Sequence, residues 1–150
     1  MPAGPEMVRT LLASLRFSAF ADARPALGQL HTLGLRLAVV SNWDVSLGDV
    51  LGRLGLSQWL DGVVTSAAAG VGKPDPGIFE RGLTAVGAGP HEALHVGDSL
   101  REDVEGARAA GIEPVLVSRD GAADGEPEGG TLTVRSLLEL PRLVSTTAPH

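Results

Sequence analysis

Four side-chain types, Ser, Asn, Lys and Asp, stand at spacings that could do chemistry. The 12 Lys and Arg residues include a single Lys, Lys73; Asn42 is likewise the sole Asn. Where Arg is the default cation, a lone Lys suggests a site that needs a compact ammonium rather than a planar guanidinium. Lys73 lies in Gly72-Lys73-Pro74-Asp75-Pro76. Upstream stands Ser41-Asn42. Downstream are two carboxylates, Asp98 and Asp103, spaced Gly-Asp-x-x-x-x-Asp. Carboxylates that hold Mg²⁺, with a hydroxyl and an ammonium to bind phosphate oxygens, are what phosphoryl transfer requires. Each residue also has a structural alternative. Ser41-Asn42 suits a turn or cap, Lys73 a solvated surface charge, and Asp98 and Asp103 the start of a helix. Asp44 and Glu102 read as solvent or capping residues.

The elements around these residues alternate. Leu35–Val40 ends in the apolar run Leu37-Ala38-Val39-Val40 and predicts a short buried strand. Leu47, Val50, Leu51 and Leu54 follow at helical spacing. Gly62–Thr65 predicts a second strand. Asp75 as N-cap with Pro76 at the first position opens a helix carrying Ile78, Phe79, Leu83 and Val86 inward. Ala93–Val96 is a third strand, with a loop from Gly97 to Asp103 and a helix to Ala110. Pro114–Val117 is a fourth. Residues 119–130 are acidic and Gly-rich and read as a loop. Thr131–Val134 suits an edge strand, and Ser136 caps a last helix running to about Leu143. Near the start, Met7, Leu11, Leu12 and Leu15 predict a helix over Glu6–Leu15. A linker, Arg16–Asp22, follows, and Pro25 opens a second helix. Strands alternating with helices predict an α/β three-layer sandwich with a parallel sheet. Sites in such sheets lie beyond the carboxyl ends of the strands. Ser41, Asn42, Lys73, Asp98 and Asp103 all follow strands.

Composition narrows the classes. The chain has 150 residues, 43% hydrophobic and 20% charged, as expected of one globular domain. A net charge of −6 and no basic stripe argue against a nucleic-acid partner. With no cysteine, thiolate metal sites, disulfides and a Cys nucleophile are excluded. No apolar stretch approaches the roughly 20 residues of a membrane span, so no membrane partner is expected and the expected location is cytoplasmic.

Taken in order, these motifs resemble the haloacid dehalogenase-like (HAD) hydrolases. Val39-Val40-Ser41-Asn42 is similar to their motif II, Gly72-Lys73-Pro74-Asp75-Pro76 to motif III, and His95-Val96-Gly97-Asp98-Ser99 through Asp103-Val104-Glu105-Gly106-Ala107 to motif IV. The match spans about Asp22 to Val117. The resemblance implies a Rossmann-like core and, in the intact enzyme, Mg²⁺-dependent hydrolysis of a small phosphorylated metabolite. Ser41, with Asn42 beside it, would bind the phosphoryl group. Lys73 would neutralise charge on phosphate and nucleophile. Asp98 would ligate Mg²⁺. Asp103 would sit near the metal or orient Lys73. Pro74-Asp75-Pro76 is similar to the subgroup with a helical cap.

The family's motif I, a strand ending in Asp-x-Asp, has no match ahead of motif II. Asp22 precedes Ala23-Arg24-Pro25 and has no acid two residues on. The expected organisation is therefore a cap remnant and linker over 1–21, a HAD-like core over 22–144 and a frayed tail over 145–150. This core would lack its central strand and most of its cap. The bared strand edges would invite self-association, and the chain alone would be inactive. Two other readings stand beside the phosphatase: a non-catalytic partner-binding module, and a haloacid dehalogenase, which has no need of the motif IV acid pair.

Overall fold

A computed structural model of the protein describes residues 10–13, 20–118 and 131–147. Its centre is a six-stranded sheet in the order β3-β2-β1-β4-β5-β6, with every neighbouring pair parallel. The strands are β1 (Thr10–Ala13), β2 (Arg36–Ser41), β3 (Gly62–Thr65), β4 (Ala93–Gly97), β5 (Glu113–Val117) and β6 (Leu132–Val134). The helices are α1 (Phe20–Thr32), α2 (Leu47–Arg53), α3 (Ser66–Ala69), α4 (Pro76–Val86), α5 (Gly106–Ala109) and α6 (Leu140–Thr147). The four strands expected between Leu35 and Val117 all form, parallel, within a residue or two of their expected ends.

Successive strand residues face opposite sides of the sheet, and two apolar clusters result. One joins Leu11, Leu37, Val39, Leu94 and Val96 to Leu27 and Leu30 of α1, Leu47 and Leu51 of α2, and Leu140 and Val144 of α6. The other joins Leu12, Ala38, Val40 and Ala93 to Ile78, Phe79, Leu83 and Val86 of α4 and Ala107 of α5. Helices therefore cover both faces, which is the three-layer arrangement expected. Fully burying one side chain such as Phe79 contributes about 1.5–3 kcal/mol. Gly82 of α4 lets that helix approach closely: a Cβ there would stand 2.8 Å from Val40 Cγ2.

The start of the chain differs from expectation. Thr10–Ala13 is a strand, not part of a helix, and it lies between β2 and β4. The central position is thus filled. The edges of β2 and β4 that would have been bared are paired, which removes the basis for association through them. The physical reason is visible in the burial. All four residues are buried, with Leu11 in one cluster and Leu12 in the other. A helix would bury one stripe, whereas this strand also gives backbone partners to two neighbours. Asp22 falls in the first turn of α1 rather than in a linker, and Pro25 lies inside that helix, not at its start. The rest of the expected first helix, the linker residues 16–19 and the loop 119–130 lie outside the described residues. No helix among the described residues is long and apolar enough to cross a membrane.

Candidate active site

All strands run the same way, so Ala13, Ser41, Thr65, Gly97 and Val117 share one edge of the sheet. Ser41 closes β2 and is 5% exposed. Asn42 begins the loop beyond it. Its side chain reaches the segment before α4 and pairs with a peptide there: Asn42 Oδ1 accepts from Lys73 N at 2.7 Å, and Asn42 Nδ2 donates to Lys73 O at 3.1 Å. Gly72 makes room for this amide, since a Cβ there would stand 2.8 Å from Asn42 Oδ1. One loop is also stitched to the start of α3, where Ser66 Oγ accepts from Trp43 N and donates to Trp43 O. Asp44 is exposed, and its Oδ1 accepts from Ser46 N at 2.8 Å in the turn ahead of α2.

Lys73 is held at backbone and tip. It is 6% exposed, and Nζ donates to Asp103 Oδ1 at 2.7 Å. Asp103 is 1% exposed and belongs to a π-helical turn, Leu100–Glu105, capped by Ser99. This turn replaces the loop expected between Gly97 and Asp103. It opens when Ser99 Oγ accepts from Glu102 N at 3.0 Å, and Ser99 N donates to Asp103 Oδ2 at 3.1 Å. Gly97 is required beneath it, because a Cβ there would overlap the Asp103 carboxylate. Asp75 Oδ1 accepts from Gly77 N at 2.8 Å, so the Asp-Pro start of α4 forms as expected and carries Lys73 at its entrance.

His95, inside β4, was not among the expected site residues. Its Nε2 lies 2.9 Å from Asp103 Oδ1, the oxygen that also receives Lys73. Burial alone would raise the Asp103 pKa. The hydrogen bond and charge of His95, with the Lys73 ammonium, outweigh it and hold the group at about 2, against an ordinary 3.8. Burial pushes the His95 imidazole below its ordinary 6.5, against the pull of Asp103. Asp103 is therefore held as a carboxylate, and burial disfavours the charged form of the imidazole beside it.

Asp98 directly follows β4 and is exposed. Ser41, Asn42, Lys73, Asp98 and Asp103 thus all stand at the carboxyl edge. Asn42 joins Lys73, and Lys73 joins Asp103. Asp103 Oδ1 already accepts two hydrogen bonds and Oδ2 one. Among the described residues no three His, Cys, Asp or Glu side chains cluster for a metal. The donor set still fits Mg²⁺, which is commonly held by one or two carboxylates with waters and substrate phosphate; Asp98 is the exposed carboxylate there. The apolar groove lined by Arg24, Gly28, Trp59 and Pro141 shares no residue with this cluster.

The profile of the haloacid dehalogenase-like hydrolases matches residues 5–111. The chain belongs to that family. It is 46% identical over 102 residues to a human haloacid dehalogenase-like hydrolase domain-containing protein 3, covering 68% of this chain and 41% of that one. It is 36% identical over 131 residues to a Thermus thermophilus phosphoserine phosphatase, covering 83% and 52%. Its fold overlays a 2-haloacid dehalogenase of Pseudomonas syringae pv. Tomato DC3000 with a TM-score of 0.76, at 27% identity, covering 86% and 54%. The chain spans about half the length of the curated relatives it matches. The HAD core, Rossmann-like with a parallel sheet, is as the motifs implied.

Proposed function

We propose that this chain carries the phosphate-binding and metal-binding part of a site for hydrolysing small phosphomonoesters. The observation that supports it most is the buried Lys73–Asp103 pair, 2.7 Å long, at the sheet edge where β2 ends in Ser41 and β4 runs into Asp98. The Ser41 hydroxyl and the Lys73 ammonium bind phosphate oxygens. Lys73 supplies positive charge where the transferring group gains negative charge. Asp103, whose oxygens already receive Lys73, His95 and Ser99, serves Lys73 rather than the ion. Asp98 is the residue that would hold Mg²⁺, which when bound neutralises charge on the phosphate. Asn42 holds the Lys73 peptide and so sets where its side chain starts.

Haloacid dehalogenation is the competing chemistry. It would leave Asp98 without a task, and the phosphatase reading uses it. The family's phosphatase route needs a carboxylate to form an aspartyl-phosphate. The chain that continues from β1 reads Ser14-Leu15-Arg16, with no acid. We therefore propose that the chain by itself binds phosphate without turning it over, and this favours a non-catalytic binding role as the second reading.

Calorimetric titration with orthophosphate in the presence of Mg²⁺ tests the site. Wild-type chain binds, and Lys73→Arg binds more weakly because a planar guanidinium cannot replace a buried ammonium. Equal binding by a folded Lys73→Arg variant would remove Lys73 from the phosphate site.

A further inference from the structure

The proposed site leaves His95 without a role. It lies mid-strand in β4, is 0% exposed, and meets the edge of Phe79 with ring centroids 4.7 Å apart at 88°. A polar ring in such a place costs stability unless it is hydrogen-bonded. Its Nε2 reaches Asp103 Oδ1, while Nδ1 has no hydrogen-bond partner among the described residues. A carboxylate facing Nε2 fixes the tautomer: the proton is on Nε2, and Nδ1 carries the bare lone pair. The imidazole is thus a neutral N–H donor aimed at an oxygen that also holds the Lys73 ammonium.

We propose that His95 is a positioning residue for Lys73: its Nε2–H fixes the Asp103 carboxylate, and the fixed carboxylate sets where Lys73 Nζ points. The surroundings support this. Oδ2 is pinned by Ser99 N, and Gly97 leaves the carboxylate no side chain to push against. Without His95, Oδ1 would be held by Lys73 on one side and nothing on the other, so the pair could swing together. A neutral donor is what such a post needs. It fills a lone pair without cancelling the negative charge, whereas Lys or Arg at position 95 would compete with Lys73 for that charge. This inference rests on the proposed phosphate role of Lys73 for its purpose, but not for its geometry.

Lys73 is the sole lysine of the chain, so its ammonium gives a single side-chain resonance in ¹⁵N NMR. The test compares wild type with His95→Gln, His95→Asn and His95→Leu, each checked for folding by circular dichroism. In wild type the Lys73 ammonium is protected and its resonance sharp. His95→Gln, whose amide reaches as far as Nε2, keeps it. His95→Asn, one carbon shorter, and His95→Leu broaden or lose it. Orthophosphate binding should weaken roughly ten-fold in the Asn and Leu variants, the scale of one hydrogen bond to a charged group, and little in Gln. Should the Leu variant not fold, the Gln and Asn pair decides. A Lys73 resonance that is the same in Gln and Asn variants overturns the inference. If the resonance responds as stated but wild type binds no orthophosphate, the positioning role stands and the phosphate reading fails.

Discussion

Replacing Asp103 by Asn should cost about 3 kcal/mol of folding stability, the lower end for breaking a buried ion pair by removing one partner. The carboxylate is 1% exposed and receives Lys73 at 2.7 Å, His95 at 2.9 Å and the Ser99 amide at 3.1 Å. Asparagine keeps its shape and can still accept from Lys73 and His95. It loses the charge, however, and it turns an NH₂ group toward the Ser99 N–H. The Lys73 ammonium then remains buried without its carboxylate. For a chain of this size the loss should lower the melting temperature by roughly 6–12 °C. Urea unfolding of wild type, Asp103→Asn, Lys73→Met and the double variant forms a closed cycle. Each single change leaves one buried charge behind, and the double change leaves neither. The double variant should therefore be more stable than the sum of the two losses implies, by ~2 kcal/mol or more. An Asp103→Asn variant within about 1 kcal/mol of wild type, or a strictly additive cycle, would refute the buried pair as the anchor of Lys73.

Acid should destabilise the protein in two stages. Both His95 and Asp103 have pKa values lowered by folding, so the unfolded chain takes up protons more readily and stability falls as pH falls. The His95 contribution is lost below its ordinary 6.5, and the Asp103 contribution between 3.8 and about 2. Urea midpoints that stay flat from about pH 7 to 4 would contradict a neutral buried His95. Gly97→Ala should destabilise by about 1–3 kcal/mol or more through overpacking against Asp103, and a wild-type melting temperature would contradict that close approach. Asp98→Asn should weaken Mg²⁺ binding in calorimetry; unaltered Mg²⁺ affinity would move the ion elsewhere.

The strand ends that carry the candidate residues are legible in the sequence, because short apolar runs and punctuating residues mark them. Val39-Val40 before Ser41 and Leu94 to Val96 before Asp98 have no competing helical pattern, and Asp75-Pro76 states where α4 must begin. Thr10–Ala13 was not legible for the opposite reason. Leu11 and Leu12, with Met7 and Leu15, satisfy helical spacing as well as a buried strand does, and only the pairing of both edges with β2 and β4 decides between them. His95 is masked in the sequence by the apolar run in which it stands. A polar residue in a strand buried on both faces needs a partner, and the acid eight residues on, Asp103, was the one available. The pairing of the Asn42 amide with the Lys73 peptide is a long-range contact that spacing along the chain does not reveal.

The most direct measurement is a ³¹P NMR experiment on the purified chain with an aryl phosphate and Mg²⁺, run beside an Asp98→Ala control. The expected result is a substrate resonance that shifts or broadens with wild-type chain and less so with the control, with no orthophosphate signal appearing in either. Orthophosphate released by wild type and absent in the control would reveal a nucleophile within this chain and contradict binding without turnover. A substrate resonance unaffected by wild-type chain would contradict the phosphate site itself.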